Sequence, residues 1–112
     1  MTPDTPDRPD DLEIGIEDAE LALSHPSTSL LDVREEWEFR RRRVPGATLV
    51  PLGWLSLATE RLAREGLILV ICEHGNRSLA AADFLRRRGF DAVSVRGGTA
   101  AWARAGKPVE QG

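Results

Sequence analysis

The sequence predicts a small three-layer α/β domain built on a five-stranded, mainly parallel sheet flanked by helices, and three observations point there. Short apolar runs alternate along the chain with helical patterns, the order expected of strands joined by crossover helices. One run, Leu67-Ile68-Leu69-Val70-Ile71, is apolar at every position, as a parallel strand covered on both faces should be. The chain has 112 residues, 41% of them hydrophobic, which suits one domain with its own core.

Residues 1–11 hold three prolines and four aspartates with almost no apolar side chain, so they are predicted to be a disordered tail. The folded unit is expected over 12–112. Leu12–Ile16 is a weak strand, and Glu17–Ser24 a helix that Pro26 helps to terminate. Ser29–Val33 is a firmer strand. Glu35–Arg42 reads as a short, highly charged helix stopped before Pro45-Gly46. Ala47–Val50 is a strand, Trp54–Arg64 a helix ending near Gly66, and Leu67–Ile71 the central strand. After the segment Cys72–Ser78 comes a helix over Leu79–Arg88, with Gly89 placed as its C′ residue and Arg86, Arg87 and Arg88 suited to the negative end of its dipole. Ala92–Val95 is the last strand and Thr99–Ala105 the last helix.

Composition excludes several classes. A net charge of -3 gives no general attraction to nucleic acid or to an anionic membrane. No apolar run approaches the ~20 residues of a membrane span. The start, Met1-Thr2-Pro3-Asp4, is neither basic nor apolar, so no signal peptide is expected and the location is predicted to be cytoplasmic. One cysteine rules out an internal disulfide and a cysteine-based zinc cluster within one chain. No metal or other cofactor is expected, since Cys72, Glu73 and His74 are neighbours that cannot all turn to one ion. The oligomeric state stays open.

The chemistry is predicted at Cys72-Glu73-His74-Gly75-Asn76-Arg77-Ser78. In an open parallel sheet, ligands bind beyond the carboxyl ends of the strands, and Cys72 follows the central strand directly. A loop running from a strand into a helix start can aim several backbone N–H groups at one point. Gly75 supplies freedom for a tight curl, Asn76 tolerates unusual dihedrals, and Ser78 is a candidate N-cap. Converging amides, a helix N-terminus and the nearby Arg77 all favour a thiolate over a thiol and make the sulfur nucleophilic. The competing reading is a buried cysteine beside an ordinary polar turn.

Four segments in order, Leu31-Asp32-Val33-Arg34-Glu35, Val44-Pro45-Gly46-Ala47, Cys72–Ser78 and Gly97-Gly98-Thr99-Ala100-Ala101-Trp102, resemble a rhodanese domain over about residues 12–108. The Cys-x-His-Gly-Asn segment is most similar to that of small single-domain thiosulfate sulfurtransferases. The resemblance implies a sulfurtransferase in which Cys72 carries sulfur as a persulfide. Residues Glu73, His74, Gly75, Asn76 and Arg77 would cradle it, with Ser78 closing the substrate-binding set. Asp32 and Arg34 would support the pocket, and Trp37 and Trp102 would be packing aromatics. The implied partners are a small sulfur donor and a thiol acceptor, which could be a protein, with cyanide as a test acceptor. Where the family often has Gly-His before its Pro-Gly turn, this chain has Arg42-Arg43, and Glu73 sets a carboxylate where it opposes an anionic donor.

Other functions compete. A cysteine phosphatase or arsenate reductase would have a Cys-x5-Arg loop wide enough for an oxyanion, whereas Arg77 is only five positions after Cys72. A non-catalytic rhodanese-like binding or regulatory module would keep the fold without the chemistry. Arg40–Arg43 reads as a solvated helix end in preference to a docking patch. His74 is either a proton-transfer or recognition group or an exposed loop side chain. Trp54 is a wall residue at the pocket mouth or a core residue, and His25 a surface residue.

Overall fold

The computed structural model describes residues 11–112; the tail expected over 1–11 lies outside this range except for its last residue. Five strands, β1 (Glu13–Ile14), β2 (Ser29–Asp32), β3 (Thr48–Leu49), β4 (Leu67–Ile71) and β5 (Asp91–Val95), form one sheet in the order β1-β5-β4-β2-β3. All pairings between them are parallel. The helices are α1 (Ile16–Leu23), α2 (Glu36–Arg41), α3 (Leu55–Ala58), α4 (Asn76–Arg87) and α5 (Gly98–Arg104).

Strand β4 is central and buried at every residue. Its alternation divides the core into two layers. Ile68 and Val70, with Cys72 beyond them, pack against Leu55 of α3 and Ala81, Ala82 and Leu85 of α4. Leu67, Leu69 and Ile71 pack on the other face with Ala19 and Ala22 of α1 and Trp102 of α5. Small alanines on α1 and α4 let the helices approach the sheet closely.

The chain leaves β4 toward β5 and leaves β2 toward β3, in opposite directions across the sheet. Such a reversal opens a crevice beyond the carboxyl ends of the two strands. Asp32 pairs with Ile71 in the register of β2 and β4. Arg34 and Glu73, just beyond, are therefore brought together across that crevice.

Three expectations are corrected. The helix expected over Trp54–Arg64 is instead a 3-10 turn at Leu52–Trp54, the single-turn α3, and another 3-10 turn at Thr59–Arg61. Its apolar stripe is too short to hold a longer helix: Leu55 is buried, while Trp54 is 64% exposed and Leu57 is also exposed. Thr59 donates its hydroxyl back to the Ser56 carbonyl at 2.9 Å, a local bond that competes with regular helix. Second, α4 begins at Asn76 and its N-cap is Gly75, not Ser78. Third, Trp37 is no packing aromatic; it is 63% exposed, whereas Trp102 is buried. Helix α2 is too short and too charged to bury a face, and it has no buried residue at all.

Candidate functional site

Cys72 ends β4 and is 1% exposed. The loop after it turns back on its sulfur. Sγ accepts the N–H of Gly75 at 3.1 Å and that of Ser78 at 3.3 Å. Gly75 makes the turn with φ +104, a left-handed conformation that a side chain would oppose. A Cβ there would also lie 3.1 Å from the Gly97 nitrogen. Ser78 is the third residue of α4, and an N-cap side chain ordinarily accepts an amide at this position. The sulfur therefore performs the capping that Ser78 was expected to perform. It sits at the N-terminal, positive end of a 12-residue helix.

The loop is also held from behind by its carbonyls. Thr99 N–H donates to the Cys72 carbonyl at 2.8 Å and Ala100 N–H to that of Glu73 at 3.0 Å. Gly98, with φ +63, permits this approach, because a Cβ there would collide with the Cys72 carbonyl oxygen and lie 2.6 Å from that of Glu73.

Toward α2 the loop is tied by ions. The fully buried Arg34 donates to both carboxylate oxygens of the fully buried Asp32, with Nη2 to Oδ2 at 2.8 Å. Its Nη1 reaches Glu73 Oε1 at 3.0 Å, and Arg42 Nη2 reaches Glu73 Oε2 at 3.0 Å. Burial works against the Arg34 charge, but Asp32 and then Glu73 outweigh it and hold its pKa above the ordinary value. Arg77 makes a two-point bridge to Glu38 at 2.7 and 2.8 Å. The hydrogen bond from Arg77 lowers the Glu38 carboxyl to about 2 against the opposing effect of burial, with smaller help from the Glu35 backbone N–H. Arg77 is raised correspondingly, chiefly by Glu38, with the charge of Cys72 a lesser cause.

Of the residues singled out in the sequence, Asp32, Arg34, Cys72, Glu73, Gly75, Arg77 and Ser78 are thus joined in one network. His74 and Asn76 are exposed on the loop and take no part in its bonds among those described. Arg42, expected as part of a solvated helix end, instead holds Glu73. Arg43 also turns inward, to the Phe39 carbonyl and ring and to Glu110, while Arg40 stays on the surface paired with Glu36. Trp54 lies outside the core.

Two contributors are not singled out in the sequence reading, Glu38 and Ser94, whose Oγ is 2.7 Å from that of Ser78, while Arg42 and Gly98 stand in segments noted there without the contacts they make. Ser94 was the more visible in principle, as the one polar side chain in the run Ala92-Val93-Ser94-Val95. A cleft of about 400 Å³ opens beside the loop, lined by Arg34, Trp37, Glu38, Arg41, Arg42 and Glu73. Among the described residues no three His, Cys, Asp or Glu side chains are grouped to hold a metal ion, and no helix is long and apolar enough to cross a membrane.

A parallel sheet with a cysteine-capped helix at the end of its central strand defines a class, and comparison with known proteins gives it a name. Residues 10–105 match the family model of the Rhodanese-like domain, and the chain belongs to that family. It is 34% identical over 90 residues to the thiosulfate sulfurtransferase GlpE of Tolumonas auensis, an alignment covering 80% of this chain and 85% of that protein. Among solved structures, a rhodanese-related protein from Thermoplasma volcanium superposes with a TM-score of 0.83 at 33% identity, covering 89% of this chain and 98% of that one. A thiosulfate sulfurtransferase from Pseudomonas aeruginosa superposes with a TM-score of 0.81 at 29% identity over 96% of this chain, which spans 21% of that longer protein.

Proposed function

We propose that this chain is a sulfurtransferase that carries sulfane sulfur on Cys72. The Cys72 thiolate attacks the outer sulfur of a donor such as thiosulfate. The donor S–S bond breaks, sulfite leaves with the bonding pair, and Cys72 is left as a persulfide. The thiolate of an acceptor, or cyanide in an assay, then attacks the terminal sulfur and releases the Cys72 thiolate. Two displacements through a covalent intermediate imply ping-pong kinetics. The observation that carries this reading is the capping of α4 by the Cys72 sulfur, with two amides converging on it.

The phosphatase reading is weakened by Arg77, whose guanidinium is engaged at two points by Glu38 and would have to leave it to bind an oxyanion. The binding-module reading draws support from the burial of Cys72. Intact-mass measurement separates the readings. Incubation with thiosulfate, then removal of the donor, is expected to add the mass of one sulfur atom to the protein and none to Cys72→Ser. Later addition of cyanide is expected to return the original mass with release of thiocyanate. A protein that stays unmodified by thiosulfate and by organic persulfide donors is a binding module.

A further inference from the structure

Ser78 Oγ has three polar neighbours: Cys72 Sγ at 3.3 Å, the Gly75 carbonyl at 3.2 Å and Ser94 Oγ at 2.7 Å. Ser78 and Ser94 are both fully buried. Ser94 lies on β5 between Val93 and Val95, which join the core on the α1–α5 side. Its own side chain falls on the opposite face with Ala92, under α4. Burying a hydroxyl in such a strand is unfavourable unless it is hydrogen-bonded, and its one partner among the described residues is the Ser78 hydroxyl.

We infer that Ser94 is a positioning residue for Cys72: it frees the Ser78 hydroxyl to donate to the sulfur when Cys72 is ionised. The inference rests on the reading of Cys72 as a working thiolate. Ser78 has one hydroxyl proton to share among its neighbours. While Cys72 is a thiol, S–H can donate to Ser78 Oγ, and the Ser78 proton can go to the Gly75 carbonyl. Once Cys72 is a thiolate it can only accept. Ser78 O–H then turns to the sulfur, and Ser94 O–H donates to the Ser78 oxygen. The chain Ser94→Ser78→Cys72 then has every donor aligned toward the negative charge, an arrangement in which each bond strengthens the next. Without Ser94, Ser78 loses that polarisation, and the thiolate is less favoured.

The sequence makes the test direct. With one cysteine and no tyrosine in the chain, the ultraviolet absorbance of a thiolate reports Cys72 alone. Ser94→Thr and Ser94→Val are nearly equal in shape and differ in the hydroxyl. Titration of the full chain is expected to give the Thr variant the midpoint of the parent. The Val variant is expected to titrate about 0.5–1 pH unit higher, a three- to tenfold smaller thiolate fraction below the midpoint. Ser78→Ala should shift at least as far, and adding Ser94→Val to it should change nothing more.

Equal midpoints for Thr and Val overturn the inference, as does a Val shift that persists undiminished in the Ser78→Ala background. If both branched residues prevent folding, Ser94→Ala takes their place, with the same upward shift expected and an unchanged midpoint overturning it. Absorbance reads the hydroxyl chain whether or not sulfur is transferred, and intact mass reads sulfur loading whether or not Ser94 matters. The two readings therefore fail separately.

Discussion

Toward α4 and β5, the hydrogen bonds of the Cys72 sulfur among the described residues are to neutral groups: the Gly75 and Ser78 amides and the Ser78 hydroxyl. Toward α2, the same loop is held by ions, with Glu73 between Arg34 and Arg42 and Arg77 on Glu38. The two sides suit different tasks. On the proposed reading of Cys72 as a thiolate, fixed amides and a hydroxyl would hold its charge without a counter-ion bonded to the sulfur. The ions fasten the loop to a helix that has no buried face of its own, with Arg34 buried and Glu73, Arg42 and Arg77 part-exposed to screening water. Arg34, Arg42 and Arg77 are each committed to a carboxylate, so the rim offers a donor less positive charge than three arginines suggest.

The comparison is broken most severely at the deeply buried Asp32–Arg34 pair. Asp32→Ala leaves Arg34 without its main partner, and removing one member of a buried pair typically costs about 3–5 kcal/mol. Urea denaturation should show that loss. If it shows less than about 1 kcal/mol, the remaining bond from Arg34 to Glu73 suffices, and the rim is tougher than its geometry implies.

Gly98 lies behind both sides, against the carbonyls of Cys72 and Glu73. Gly98→Ala adds a Cβ to a left-handed residue and forces it into backbone atoms that cannot swing aside, so a loss of about 2–3 kcal/mol in stability is expected. The loop should be pushed out of register with its sulfur, and persulfide formation followed by mass should slow more than tenfold, about 1.4 kcal/mol or more in the barrier. Parental loading rates in a folded variant would show that the loop tolerates displacement.

Glu73→Gln sharpens the contrast from the rim. The amide keeps the shape but gives up two charge-assisted bonds, a loss of about 1–2 kcal/mol at a part-exposed site. It also leaves Arg42 without a counter-charge beside the cleft. The Michaelis constant for thiosulfate is expected to fall several-fold at low ionic strength, and the difference should shrink with added salt. An unchanged constant would place the donor's path away from Glu73.

How much of this was legible in the sequence follows from how each contact is encoded. The sheet and its central strand were legible because the apolar run Leu67–Ile71 and the helical patterns around it are local signals. The loop was legible because Cys72, Gly75 and the following helix are contiguous. What escaped were contacts between distant segments. Nothing near Arg77 shows that its partner is Glu38, 39 positions away, and nothing near Glu73 shows that Arg42 reaches it. Arg77 therefore read as a free positive charge beside the nucleophile, and Glu73 as an uncompensated negative one. Ser78 read as a cap because its residue type fits that role; that the sulfur would take the capping amide depends on how tightly the loop closes. Trp37 was assigned to packing from the resemblance alone, and helix α2 proved too short to bury it.

The mildest test concerns acid. In the folded protein the Glu38 carboxyl titrates at about 2, against 4.5 for an unperturbed one. A carboxylate lowered on folding stabilises the fold above its unfolded value and loses that contribution as pH falls through the folded value. The Arg77–Glu38 contribution should therefore be complete at neutral pH, begin to decline below about pH 4.5, and be nearly gone by about pH 2. Because Arg77 is 37% exposed, water screens the bridge, and about 1 kcal/mol is a fair size after that discount. Glu38→Gln imitates the protonated carboxyl at every pH. The gap in stability between the parent and this variant, measured by urea denaturation at a series of pH values, should hold steady down to about pH 4.5 and close toward about pH 2. A gap that stays constant into acid would mean that Glu38 acts through shape or through its helix-capping bond to the Glu35 N–H, and that the charged rim is less ionic in its effect than in its geometry.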